Sequence, residues 1–252
     1  MKATPRNSVT FLFVFENLIL QGLHASGNLA FVKDFEAFQQ QDNDLRCSDL
    51  TSIDSWEKAG AYIAMFSPVP LSDRNVWRQI WDSQVELVIT FISSCSKDDL
   101  ALFSSSKFIG SYQLQLEAEK EMGDFIVRTL KVRNRGTTRT VTQLVFMSWP
   151  GAGQAPSRSC IMSLVRESCD QLTRSQGQGP VLVWSASELG HDPAIFWMCL
   201  DTMSRQMRST GDTNLSHYSR YLALTHGLSL STSQLYIQLH DILAWAIQNN
   251  KL

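Results

Sequence analysis

The spacing of apolar residues along the chain predicts helices that alternate with buried strands. Residues 29–41 carry phenylalanines one helical turn apart, which is typical of a helix with one apolar face. Residues 85–92 are mostly apolar and rich in β-branched side chains, as expected of a strand buried on both faces. Shorter apolar runs at 61–65 and 181–184 predict two further strands of this kind.

Polar residues at the ends of these runs predict where helices start and where the chain turns. Asp73 is placed to cap a helix that carries Val76, Trp77 and Ile80. Asp192-Pro193 predicts a second helix start, with the aspartate as its cap. Further helices are predicted at 161–172, 216–224 and 235–248.

A β-hairpin is predicted in the middle of the chain. Residues 124–133 alternate between apolar and polar side chains, and a second such segment follows at 140–147. The turn Arg135-Gly136-Thr137 separates them, so the two segments form an antiparallel pair. Buried strands alternating with helices, plus one hairpin, indicate an α/β fold.

Composition narrows the classes of partner. The 252 residues are 44% hydrophobic and 18% charged, with a net charge of −2, so we expect a packed globular protein with no affinity for nucleic acid. The five cysteines include no C-x-x-C pair, which argues against a disulfide framework and a zinc site and favours reduced thiols in the cytoplasm. We predict no metal and no cofactor.

The N-terminal segment, residues 1–28, has two interpretations. Phe11, Val14 and Leu18 share one face of a helix, which favours an amphipathic N-terminal helix. A basic start followed by an apolar run is also compatible with a signal peptide over residues 1–25, and the protein would then be secreted rather than cytoplasmic. No stretch approaches the roughly 18 apolar residues of a membrane span.

Several segments, in their order along the chain, resemble the protein tyrosine phosphatase domain. They are Tyr62-Ile63-Ala64 with Pro68-Val69-Pro70, Val76-Trp77-Arg78-Gln79-Ile80-Trp81, Arg128-Thr129-Leu130-Lys131-Val132, Ser148-Trp149-Pro150, Gly179-Pro180-Val181-Leu182-Val183 and Leu235-Tyr236 with His240-Asp241. The resemblance implies a twisted mixed β-sheet flanked by helices on both faces. With no internal repeat or long linker, we expect one such domain over residues 29–252.

The resemblance also implies where the family's catalytic groups would lie. In the family a loop of the form His-Cys-x5-Arg cradles phosphate, a tryptophan-proline-aspartate loop supplies the general acid, and a late glutamine positions water. The matching positions here are Ser185 for the cysteine, His191 for the arginine, Gly151 for the aspartate and Ser231 for the glutamine. The remnant of the cradle comprises Ser185, Ala186, Ser187, Glu188, Leu189, Gly190 and His191.

Each of these replacements removes a chemical function. A serine hydroxyl is a weak nucleophile without a base, and imidazole lacks the guanidinium fork that grips phosphate. Glu188 and Asp192 add carboxylates where the family binds an anion. The sequence therefore predicts a pseudophosphatase that binds a protein partner. The alternatives are a trap that binds phosphotyrosine without turnover, and an enzyme that uses other residues.

Overall fold

The computed structural model describes residues 24, 27–39, 51–66, 70–92, 106–151, 153–175, 178–186 and 189–252. The residues that predict an N-terminal helix, the last two residues of the helix predicted at 29–41, and two members of the cradle, Ser187 and Glu188, lie outside these ranges. The helices of the described part are α1 Leu29–Gln39, α2 Arg74–Asp82, α3 Arg158–Ser175, α4 Asp192–Thr210, α5 Leu215–His226 and α6 Ser233–Gln248. The strands are β1 Thr51–Ile53, β2 Tyr62–Phe66, β3 Leu87–Phe91, β4 Lys107–Ile109, β5 Tyr112–Glu121, β6 Phe125–Asn134, β7 Thr137–Phe146 and β8 Val181–Ser185.

The eight strands form one mixed sheet in the order β1-β2-β8-β3-β7-β6-β5-β4. The four neighbours β2, β8, β3 and β7 run parallel to one another, while β1 at one edge and β6, β5 and β4 toward the other pair antiparallel. The predicted hairpin is confirmed as β6 and β7, which turn at Arg135 and Gly136 in left-handed backbone conformations.

Helices cover both faces of the sheet, as the sequence predicts. Along β3, Ile89 and Phe91 pack into the larger apolar core beneath α1, α3, α4, α5 and α6, whereas Val88 packs into the core beneath α2. The predicted cap of α2 is confirmed, because the Asp73 carboxylate accepts the backbone N–H of Asn75 at 2.6 Å. The α/β class and the mixed sheet are therefore confirmed.

The strands β4 and β5 are not evident in the apolar pattern. The second half of β5 exposes Glu117, Glu119, Lys120 and Glu121, so it lacks the alternation that marks a half-buried strand. Backbone pairing with β6 holds it in the sheet, with a shift of register between Leu116 and Ala118. Among the helices of the described residues, none is long and apolar enough to cross a bilayer.

Candidate functional site

The candidate site lies at the carboxyl ends of the four parallel strands. The central strand β8 lies between β2 and β3 and ends at Ser185, which is in register with Phe91 of β3. Open α/β sheets bind ligands at this edge, where the loops after the strands meet the N-termini of the following helices. The loop between β8 and α4 contains the predicted cradle.

Ser185 is fully buried at the first position of this loop. Its exposed fraction is 0%, and its Oγ has no hydrogen-bond partner among the described residues. The next residue, Ala186, extends the strand pairing because its N–H donates to the carbonyl oxygen of Phe91 at 2.9 Å. The serine hydroxyl therefore lies at the end of the strand without a described base beside it.

The described remainder of the loop turns the chain into α4. The N–H of Leu189 donates to the carbonyl oxygen of Ala186 at 3.0 Å, and the Leu189 side chain is buried. Gly190 has a φ of +65°, a left-handed conformation that glycine adopts without a steric penalty. These contacts fix the direction in which α4 leaves the sheet edge.

His191 is the N-cap residue of α4, and it lies at the surface. Its side chain makes no capping hydrogen bond to the helix. Loss of hydration lowers the pKa of the His191 imidazole below its usual value, although the nearby Asp192 carboxylate opposes this shift. The ring is therefore mostly neutral at pH 7 and offers no fixed positive charge.

Asp192 differs from the sequence prediction, because it is the first residue of α4 rather than its cap. Its buried carboxylate accepts two hydrogen bonds from Ser231, one from the backbone N–H at 2.7 Å and one from the hydroxyl at 2.5 Å. The structure thus joins Asp192 to Ser231, a position that sequence reasoning had singled out separately. A negative charge at the start of α4 is also favoured by the helix dipole.

The segment that carries Ser231 is held from a second side by α1. The side-chain amide of Gln39, the last residue of α1, donates to the carbonyl oxygen of Leu230 at 3.0 Å. Leu228 and Leu230 are buried in the larger core. The contact of Gln39 has no signal in the sequence, since it joins residues 191 positions apart.

Gly151 follows a tryptophan that anchors its loop. The Trp149 ring packs edge-on against Phe91 and Phe196, with ring centroids 6.1 and 5.7 Å away, so the loop starts beside the end of β3. The indole N–H of Trp149 donates to the carbonyl oxygen of Gly151 at 3.1 Å. Gly151 itself has a φ of +120°, a conformation that other residues rarely adopt.

The thiols of the described residues lie away from the end of β8. Cys199 is buried within α4, and burial raises its pKa to about 12. Burial also raises the pKa of Cys160 at the start of α3, and Cys169 lies further along that helix. Within the described ranges, no three His, Cys, Asp or Glu side chains gather closely enough to hold a metal ion.

Comparison with known proteins supports the resemblance read from the motifs. The sequence model of the protein-tyrosine phosphatase family matches residues 50–245. The chain belongs to the protein-tyrosine phosphatase family. The match begins just before β1, ends within α6 and includes the loop between β8 and α4.

Individual relatives are distant. The chain is 23% identical to receptor-type tyrosine-protein phosphatase zeta of Rattus norvegicus over 77% of its own length and 9% of that protein. It is 22% identical to tyrosine-protein phosphatase 99A of Drosophila melanogaster, covering 91% of this chain and 21% of the relative. It is also 22% identical to tyrosine-protein phosphatase non-receptor type 7 of Homo sapiens, covering 82% of this chain and 58% of the relative. The chain thus spans less than two thirds of the length of each.

Proposed function

We propose that this chain is an inactive member of the family, a pseudophosphatase that acts as a protein-binding, scaffolding or regulatory module. The observation that carries the proposal is the alcohol of Ser185 at the end of β8, buried and without a described base. An alcohol of pKa far above 7 becomes a nucleophile only when a neighbouring base removes its proton. A loop that stabilises an anion suffices for a thiol but not for this hydroxyl.

His191 and Gly151 support the same conclusion. A neutral imidazole at the start of α4 supplies neither the charge nor the two-pronged donor with which arginine holds phosphate oxygens. Gly151 brings no carboxylic acid to protonate a leaving tyrosine oxygen, and loss of a general acid alone costs about 10²–10⁴ in rate. Three separate requirements of the chemistry are therefore unmet.

The carboxylate of Asp192 argues against the phosphotyrosine-trap alternative. It is buried at the start of α4, and Ser231 supplies two donors to it. A phosphate dianion that approached this helix terminus would meet a fixed negative charge and no arginine of the loop. We infer that any partner docks on an outer surface and needs no phosphorylation. We further propose that residues 29–252 form one domain and that the protein acts in the cytoplasm.

The test is a hydrolysis assay with p-nitrophenyl phosphate and with a phosphotyrosine peptide, with Ser185→Ala as the matched control. We expect no turnover above that of the control, because Ser185 contributes no nucleophile. Turnover that exceeds the control would contradict the proposal.

Millimolar phosphate or vanadate should also leave the melting temperature unchanged, since a ligand of the folded state must raise it. A clear rise would instead favour the trap.

A further inference from the structure

A groove lies at the amino ends of the parallel strands, opposite the candidate site. It is located between the end of α3 and the start of β7. The cavity has a volume of about 580 Å³. Most of the residues that line it are polar: Gln84, Val85, Glu86, Arg139, Thr140, Thr142, Gln171, Arg174 and Ser175. Glu86 directly precedes β3, whose other end lies beside Ser185. Five strand residues, roughly 17 Å, therefore separate the groove from the candidate site.

Glu86 is the unusual member of this groove. Its carboxylate oxygen Oε2 is shielded from solvent, and it has no hydrogen-bond partner among the described residues. The Glu86 backbone is in contrast well held, because its carbonyl oxygen accepts the N–H of Thr142 at 2.8 Å. A shielded acceptor without a donor is unfavourable, so a donor that enters the groove gains from the contact.

The two arginines of the groove are oriented toward other groups. The Arg139 guanidinium donates to the carbonyl oxygen of Trp81 at 2.6 Å and lies 4.3 Å from the centroid of the Trp81 ring. Arg174 is largely exposed and lies 3.9 Å from the carboxylate of Glu167. Neither forms an ion pair with Glu86 in the described part of the chain. The groove thus contains a carboxylate that its own cations leave uncompensated.

We propose that this groove binds a cationic side chain, an arginine or a lysine, of a protein partner, with Glu86 as the counter-ion. A guanidinium or ammonium group brings several donors and a positive charge, which match a carboxylate with an unmet acceptor. The C-terminal end of α3 forms one wall, and the negative end of its dipole further favours a cation. This cation site rests on the proposed function in one respect, which is that the cation belongs to a protein partner.

Titration of the whole chain with N-acetyl-arginine amide, followed by the backbone amide signals of Gln171, Ser175 and Thr140, tests the proposal. N-acetyl-lysine amide tests the second cation, and N-acetyl-citrulline amide is the neutral control of nearly equal shape. We expect saturable shifts with at least one cation, and at least tenfold weaker binding in Glu86→Gln, which keeps the size of the side chain. The control variant Glu121→Gln, at an exposed position of β5, should bind as the unchanged chain does.

Equal binding of citrulline, or equal binding by the Glu86→Gln chain, would overturn the proposal, as would the absence of binding. Arg174→Ala identifies the reason for a negative result. If only this variant binds the cation, Arg174 closes on Glu86 in solution, and the groove is a self-satisfied surface rather than a site. The hydrolysis assay of the proposed function involves none of these residues, so the two proposals can fail separately.

Discussion

At the scale of single residues, the proposed loss of catalysis rests on three positions at the carboxyl ends of the parallel strands. Ser185 ends β8, His191 precedes α4, and the carbonyl oxygen of Gly151 accepts the indole N–H of Trp149. Under the proposed function, the buried alcohol, the neutral imidazole and the glycine supply no nucleophile, no phosphate clamp and no acid.

Ser185→Cys alone should not create a phosphatase. The new thiol would lack a guanidinium to hold phosphate, because His191 is mostly neutral at pH 7. We expect recovery to require His191→Arg, Gly151→Asp and Glu188→Gly as well. The change at Gly151 carries a cost of its own, since an aspartate at φ +120° is strained by about 1–3 kcal/mol unless the loop rearranges.

The measurement is turnover of p-nitrophenyl phosphate by the single and the quadruple variants at equal concentration. Ser185→Ala in the quadruple background serves as the control for contaminating phosphatases. A single variant that matched the quadruple one would show that the loop needs neither the arginine nor the acid, and the account of its charges would be wrong.

At the scale of elements, the contact between Asp192 and Ser231 joins the start of α4 to the segment that precedes α6. Gln39 of α1 reaches the same segment through the carbonyl oxygen of Leu230. Three helices therefore meet around a segment that has no regular structure of its own. Hydrogen bonds to the side chains of Asp192 and Gln39, together with the burial of Leu228 and Leu230, hold this segment in place.

Asp192→Asn should lower the free energy of unfolding by about 1–2 kcal/mol, because both hydrogen bonds from Ser231 lose a charged acceptor. Ser231→Ala should cost less, since it removes the hydroxyl bond and keeps the backbone N–H bond. Urea unfolding of the two single variants and the double variant measures this. If the losses of unfolding free energy in the two single variants simply add in the double variant, the contact between Asp192 and Ser231 contributes little. A larger loss in Ser231→Ala than in Asp192→Asn would mean the same.

At the scale of the whole molecule, α1 closes the larger core by packing on α5 and α6. The Asp34 carboxylate accepts the hydroxyls of Ser216 and Tyr236 at 2.7 and 2.6 Å. Beside this pair, the His240 ring lies 4.9 Å from the ring of Phe31 and 4.7 Å from that of Tyr236, measured between centroids. A titratable ring is thus enclosed by aromatic side chains where α1 meets α6.

Burial lowers the pKa of His240 to about 4, so its neutral form is favoured in the folded state. The unfolded chain, with a histidine pKa near 6.5, binds the proton more readily between these values. This contribution to stability is therefore complete above pH 6.5 and is lost as the pH falls toward 4. The complete loss of this contribution lowers the free energy of unfolding by about 3 kcal/mol.

His240→Phe should flatten the decline of stability between pH 6.5 and 4, because phenylalanine fits the aromatic surroundings and binds no proton. The exposed His217, changed to Gln, serves as the control and should leave the slope unaltered. Urea unfolding at several pH values measures both. An unchanged slope in His240→Phe would assign the acid sensitivity to other groups, such as His191 and His226, whose pKa values are also lowered by desolvation.

The sequence by itself determined the central strands of the sheet and the residue types at their carboxyl ends. Continuous apolar runs specify β3 and β8, because both faces of these strands are buried. Asp73 caps α2 through a hydrogen bond to Asn75, which is only two positions further along the chain. The serine at position 185 is likewise read directly from the sequence. Motifs in a fixed order then sufficed to identify the family, which the family match confirmed.

The tertiary structure alone decided the contacts between distant residues. The bonds of Ser231 to Asp192 span 39 positions, and that of Gln39 to Leu230 spans 191, so no local pattern records them. The second half of β5 is a strand only because β6 pairs with its backbone, while its side chains remain charged and exposed. The same holds for the Glu86 oxygen that has no hydrogen-bond partner among the described residues, because that absence depends on how distant segments pack around it.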